Sequence, residues 1–221
     1  MTTHTETVLR LLAWLSPAFP TGAFAYSHGL EWAIESEDIR DETTLRDWLA
    51  DVLVEGAGRS DTILLRHARR AADAATLVQL CQLGSAIATC RERLMETLAQ
   101  GGAFARAAAA WGSERLAALG GHDLPYPVAV GALAADHRID EDATAAAYLQ
   151  AMAANLISAA VRLVPLGQSA GLRVLVALEP TVTAVAAETR TATLDDLGGC
   201  CFRSDIAAMR HETQHTRLFR T

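Results

Sequence analysis

Asp140-Glu141-Asp142-Ala143-Thr144-Ala145-Ala146-Ala147-Tyr148-Leu149-Gln150-Ala151-Met152-Ala153-Ala154-Asn155-Leu156-Ile157-Ser158-Ala159-Ala160-Val161-Arg162-Leu163-Val164 is the stretch on which the fold turns. Asp140 carries the short acceptor side chain of a helix N-cap. The run after it predicts one long helix to about Val164, with Tyr148, Met152, Leu156 and Leu163 as its buried stripe. Some 24 residues at 1.5 Å rise span about 36 Å, enough to cross a whole domain, which suits the central helix of a bundle. Ala143 to Val161 has no formal charge and approaches the length of a membrane span. Thr144, Gln150, Asn155, Ser158 and the many alanines favour a buried helix in a bundle instead.

The rest of the chain reads the same way. Thr3 and Glu6 have capping-box spacing ahead of a helix over 4–15, with Val8, Leu11, Leu12 and Leu15 as its apolar face. Pro17, Pro20 and Gly22 break it into a loop. Helical text resumes over 23–36, 43–56, 61–72, 74–87 and 89–100. In the third of these, Arg66, Arg69 and Arg70 are expected to face solvent. Gly101-Gly102 reads as a break, and 104–111 as another helix. Gly120 to Pro127 is the clearest loop, followed by a short helix over 128–136. Pro165 forces a sharp turn after the long helix. Helices then follow over 168–177 and 181–189, Gly198-Gly199 breaks the chain again, and a last helix runs from Ser204 to about His215. Period-two alternation never persists, so no sheet is expected. The expectation is an all-α protein: one compact bundle of about ten helices filling residues 1–221, with a tail at 216–221.

Composition agrees. Alanine, the best helix former, supplies 44 of 221 residues. Hydrophobic residues make up 51% against 20% charged, which excludes a chain disordered throughout. Acidic residues outnumber basic ones 26 to 19, and a net charge of −7 argues against a general nucleic-acid binder. Every basic residue is Arg, so Schiff-base and P-loop lysines are excluded. Cys81, Cys90, Cys200 and Cys201 lack CxxC spacing and are too sparse for a disulfide scaffold; reduced thiols in a cytoplasmic protein are expected. Leu11 to Leu15 is shorter than the roughly 7–15 residues of a signal-peptide core, and Glu6 stands where positive charge belongs, so no signal peptide is expected.

Catalytic motifs are scarce. His211-Glu212-Thr213-Gln214-His215 fits HExxH, in which two His on one helix face bind zinc and the Glu serves as base. No His, Asp or Glu follows to supply the third ligand that a catalytic zinc requires. A small zinc hydrolase is therefore the alternative reading. An arginine finger, which needs an exposed Arg offered in trans, is a third. His28 reads as a hydrogen-bonded structural residue, and no GxSxG elbow or glycine-rich phosphate loop is present.

Three strings remain: Ser16-Pro17-Ala18-Phe19-Pro20-Thr21-Gly22-Ala23-Phe24-Ala25-Tyr26-Ser27-His28-Gly29-Leu30-Glu31, Arg162-Leu163-Val164-Pro165-Leu166-Gly167-Gln168, and Met209-Arg210-His211-Glu212 running on to Arg217-Leu218-Phe219-Arg220. A six-residue tail cannot bury Leu218 and Phe219 by itself. It must fold back, pair with a second copy or meet another protein.

In this order and at these distances, the strings resemble the UreF family of urease accessory proteins. Residues 16–31 are similar to SPxxPxGxFxYSHGLE, residues 162–168 to RLVPLGQ, and residues 209–221 to MRHETxxSRLFRS. His215-Thr216 departs from the family pattern and creates the HExxH string, so the resemblance makes that match accidental. It implies a non-enzymatic, dimeric, all-helical scaffold without a resident cofactor. Such a protein joins UreD (UreH in some species) and the GTPase UreG on apo-urease during GTP-dependent nickel insertion. By the same resemblance Arg210, His211, Glu212, Arg217, Leu218, Phe219 and Arg220 are expected to meet partners, with Phe24, Tyr26, His28 and Glu31 lining the surface near the tail. The tail is expected to order on binding. Pro17, Pro20, Gly22, Pro165, Gly167 and Gln168 are expected to shape turns. No metal site is expected, since His28 and His211 lack a cluster of further ligands.

Overall fold

A capping box opens the chain's first helix. Thr3 accepts from the Glu6 amide while Glu6 reaches back to the Thr3 amide, and α1 (His4–Trp14) begins there. The computed structural model describes residues 3–221. After α1 come α2 (Leu30–Glu35), α3 (Glu42–Val54), α4 (Ala57–Arg70), α5 (Ala74–Ala86), α6 (Arg91–Ala108), α7 (Glu114–Ala118), α8 (Tyr126–Asp136), α9 (Glu141–Leu163), α10 (Gln168–Glu188) and α11 (Phe202–His211). Short 3₁₀ turns occupy Ala23–Ala25, Ala109–Trp111 and Leu194–Asp196. The described residues contain eleven α-helices and no strand, close to the number expected. Asp41, Asp73, Ser113 and Asp140 each cap the helix that follows by accepting an amide three residues on.

Two apolar cores share α9. One gathers Leu11, Trp14, Phe19, Leu65, Phe104, Val128, Leu133 and Tyr148. The other gathers Leu30, Leu45, Leu49, Leu53, Leu149, Leu156, Val174, Leu178 and Val185. The helix buried on all sides is α8, fully covered from Pro127 to Ala134, rather than α9. On α9, Tyr148 and Leu156 are buried as expected, whereas Met152 and Leu163 are only half-buried. Both α9 and α10 are long and apolar enough to cross a membrane by length and composition; each also buries a face against the other.

Six further expectations change. On α1 the buried face is Thr7, Leu11 and Trp14, while Val8 and Leu12 are exposed. The Trp14 ring, wholly buried and edge-on to Trp111 at 6.2 Å, sets the rotation of the helix. The single helix expected over 23–36 is interrupted, because His28 and Gly29 adopt left-handed backbone at φ +60° and +78°. A Cβ on Gly29 would sit 2.6 Å from the Ala208 nitrogen, so only glycine lets α11 approach here. Gly101-Gly102 lies inside α6 and is no break. A Cβ at Gly101 would fall 1.9 Å from the Leu124 carbonyl oxygen, so this glycine serves the approach of a loop. Residues 168–189 form one helix through Pro180, whose buried positions Val174, Leu178, Val182 and Val185 keep helical register on α3 and α9. Arg66 faces the interior, fully buried, with its guanidinium on Glu141 and Asp142. Finally, α11 ends at His211, not His215.

Candidate functional site

The opening loop, the first two turns of α6 and the last residues of the chain meet at one place. Three carboxylates sit buried there, Glu31 at the start of α2 and Glu92 and Glu96 one turn apart on α6. A buried carboxylate needs donors to replace lost water. Most of these donors come from the tail. Glu31 accepts the Leu218 amide at 2.6 Å and the Phe219 amide at 2.9 Å. Glu92 accepts from Arg217 Nη1 at 3.0 Å. Glu96 accepts from the Thr221 hydroxyl at 3.0 Å and Gln100 Nε2 at 3.1 Å, and pairs with Arg93.

His211 sits between two of these acids. Nδ1 lies 2.7 Å from Glu92 Oε2 and Nε2 lies 3.2 Å from Glu31 Oε2. A doubly protonated ring donates to both; a neutral ring donates to one. Burial, with the charge of Arg93, pushes the His28 pKa down, so that ring is held neutral 3.9 Å from Glu96. Burial alone would raise Glu96, but the Arg93 guanidinium and the His28 ring beside it together outweigh that and keep the carboxyl below its usual range. Asp61, on α4 nearby, is pushed up to about 6 by burial, and Tyr148 donates to it at 2.8 Å.

The tail's backbone is tied to the opening loop as well. Ser27 N–H donates to the Thr221 carbonyl at 2.7 Å, and Arg220 N–H to the Ala25 carbonyl at 2.8 Å. Arg162, from the end of α9, donates to the Phe24 carbonyl at 2.9 Å and lies 4.5 Å above the Phe219 ring. Thus Tyr26, His28, Glu31, His211 and Phe219 are buried. Phe24, Arg210, Arg217, Leu218 and Arg220 remain exposed, with Glu212 half-buried and accepting from the Arg91 amide. Phe24 and Leu218 keep 69% and 67% of their surface open. Pro165 falls between α9 and α10, Gly167 is the N-cap of α10 and Gln168 its first residue. Pro17, Pro20 and Gly22 lie in the loop after α1, with Gly22 at φ +75°.

The sequence reading gave no site role to Glu92, Glu96, Arg93 or Thr221. Glu92 and Glu96 lie at i and i+4 on one helix face, a spacing common on exposed helices, and nothing in the sequence places that face beneath the tail. The zinc reading fails on geometry. With α11 ending at His211, His215 leaves the helix and is exposed while His211 points inward, so the two rings share no helix face. No group of three or more His, Cys, Asp or Glu is placed to hold a metal ion among the described residues.

These features define a class: an all-helical protein whose buried acidic cluster is occupied by its own C-terminal segment. Comparison with known proteins sharpens it. The sequence model of the UreF family matches residues 39–179. The urease accessory protein UreF of Rhodopseudomonas palustris strain TIE-1 is 50% identical over 221 residues, covering 97% of this chain and 92% of the relative. That of Cereibacter sphaeroides strain ATCC 17023 is 52% identical over 217 residues, covering 97% and 98%. That of Bradyrhizobium sp. strain BTAi1 is 49% identical over 218 residues, covering 96% and 91%. The chain belongs to the UreF family of urease accessory proteins.

Proposed function

We propose that this chain is a non-catalytic scaffold and chaperone for urease maturation. It acts in the cytoplasm as a homodimer, joins UreD/UreH and the GTPase UreG on apo-urease, and supports GTP-dependent nickel insertion. The chain contributes shape; nucleotide hydrolysis belongs to the GTPase and nickel is cargo, so no resident cofactor is assigned. The observation that carries the reading is the division of labour in the tail. Its backbone and its inward side chains, Arg217 among them, are fixed by buried acids, which holds Leu218 and Arg220 outward beside the exposed Phe24. Exposed aromatic, aliphatic and Arg side chains on a preorganised segment are what a docking anchor requires.

Phe24→Ala with Leu218→Ala tests it. The double variant should retain the parental melting temperature, since both side chains are exposed, yet lose co-purification with UreD and UreG and lower urease activation at least about tenfold. Full assembly and activation by a folded double variant would overturn the tail as docking anchor.

A further inference from the structure

A cavity of about 410 Å³ opens between α1, α6 and α9. It lies within the size range of small-molecule sites, roughly 300–1,000 Å³. Its walls are mostly apolar, from Leu11, Leu15, Met152 and Leu156, with the Tyr126 and Tyr148 rings 5.5 Å apart. The charged residues on its surface are Asp61, Arg93 and Glu96, two carboxylates against one guanidinium. Glu96 already takes Arg93, Gln100 and Thr221. Asp61 takes the Tyr148 hydroxyl and feels the charge of Arg93, but forms no close ion pair among the described residues. Two neutral lining residues offer acceptors. Gln100 and Asn155 turn their amide nitrogens to Glu96 and to the Ala23 carbonyl, which leaves each a carbonyl oxygen.

An apolar cavity lined by two carboxylates, one guanidinium, two amide side chains and two aromatic rings carries one carboxylate in excess and selects positive charge on a hydrophobic body. We propose that this cavity binds a small organic monocation, an ammonium on an apolar frame, with Asp61 as its counter-ion. The apolar frame lies among Leu11, Leu15, Met152 and Leu156, and the ammonium donates to the Asp61 carboxylate against the tyrosine faces. A neutral ligand of the same shape leaves Asp61 with only the Tyr148 hydroxyl and the more distant Arg93 charge, and an anionic one meets two carboxylates. This site is independent of the docking role of the tail.

The test uses the full chain and three probes of one shape: 2-phenylethylammonium, 2-phenylethanol and 3-phenylpropionate. Titration calorimetry or ligand-detected NMR should give saturable binding of the ammonium at least about tenfold tighter than the alcohol, with the carboxylate weakest. Asp61→Asn should bring ammonium and alcohol within about threefold, and Met152→Trp, which fills the cavity, should abolish both. The charge series on the parental protein stands even where a variant fails to fold. Equal affinity for ammonium and alcohol, an unchanged preference in Asp61→Asn, or no saturable binding of the ammonium at 10 mM or below, about −2.7 kcal/mol, would overturn the site.

Discussion

Glu31 is the residue on which most of the tail's seat depends. One carboxylate receives two consecutive amides and faces an imidazole nitrogen. Charge-assisted bonds of this kind are about twice as strong as neutral ones. Glu31→Ala leaves the Phe219 amide and His211 short of an acceptor inside the protein, and should cost about 2–4 kcal/mol in chemical denaturation. Glu31→Gln keeps one acceptor oxygen and should cost less. A midpoint unmoved by Glu31→Ala would mean the tail contributes nothing to the fold. The same chemistry makes wholesale deletion a blunt probe. Removing 210–221 strips Glu31, Glu92 and Glu96 of donors and uncovers them, so loss of assembly would follow from instability as well as from a missing anchor. Substitutions at exposed positions such as Leu218 separate the two effects.

At the scale of elements, the helix starts at Thr3 and Asp140 were legible, because a short polar side chain precedes an apolar period and caps as its chemistry dictates. Asp41 and Asp73 cap in the same way without having been singled out, and the last helix starts at Phe202 rather than Ser204. What was hidden is decided by segments far apart in sequence. The left-handed His28-Gly29 step exists because α11 crosses Gly29. Arg66 is interior because its acids, Glu141 and Asp142, arrive from the start of α9. The pair Gly101-Gly102 looks like a breaker locally, but helix register is kept by Gln100 and Phe104 on the buried side of α6. Gly101 should therefore resist the substitution that usually strengthens a helix. Gly101→Ala gains up to about 1 kcal/mol of propensity. It also drives a methyl into the Leu124 carbonyl, whose backbone must shift, so a net loss of about 2 kcal/mol or more is expected in thermal unfolding. A stabilised variant would contradict the close approach. The candidate site was legible in outline, since residues 16–31 and 209–221 do converge. Its acidic floor on α6 was not, because an i, i+4 pair of glutamates is ordinary on an exposed helix.

Across the whole molecule, α9 is a party wall. Tyr148 faces the core built around α8, while Leu149, Ala153 and Leu156 serve the one shared with α3 and α10. Neither half can loosen while its neighbour keeps that wall standing in place. Heating should accordingly produce a single calorimetric endotherm whose directly integrated enthalpy equals its van't Hoff value. Two resolved peaks would reveal that the halves melt separately. A protein that melts as a unit cannot yield one face to a partner at no cost to the opposite one; a grip applied on either side is felt throughout.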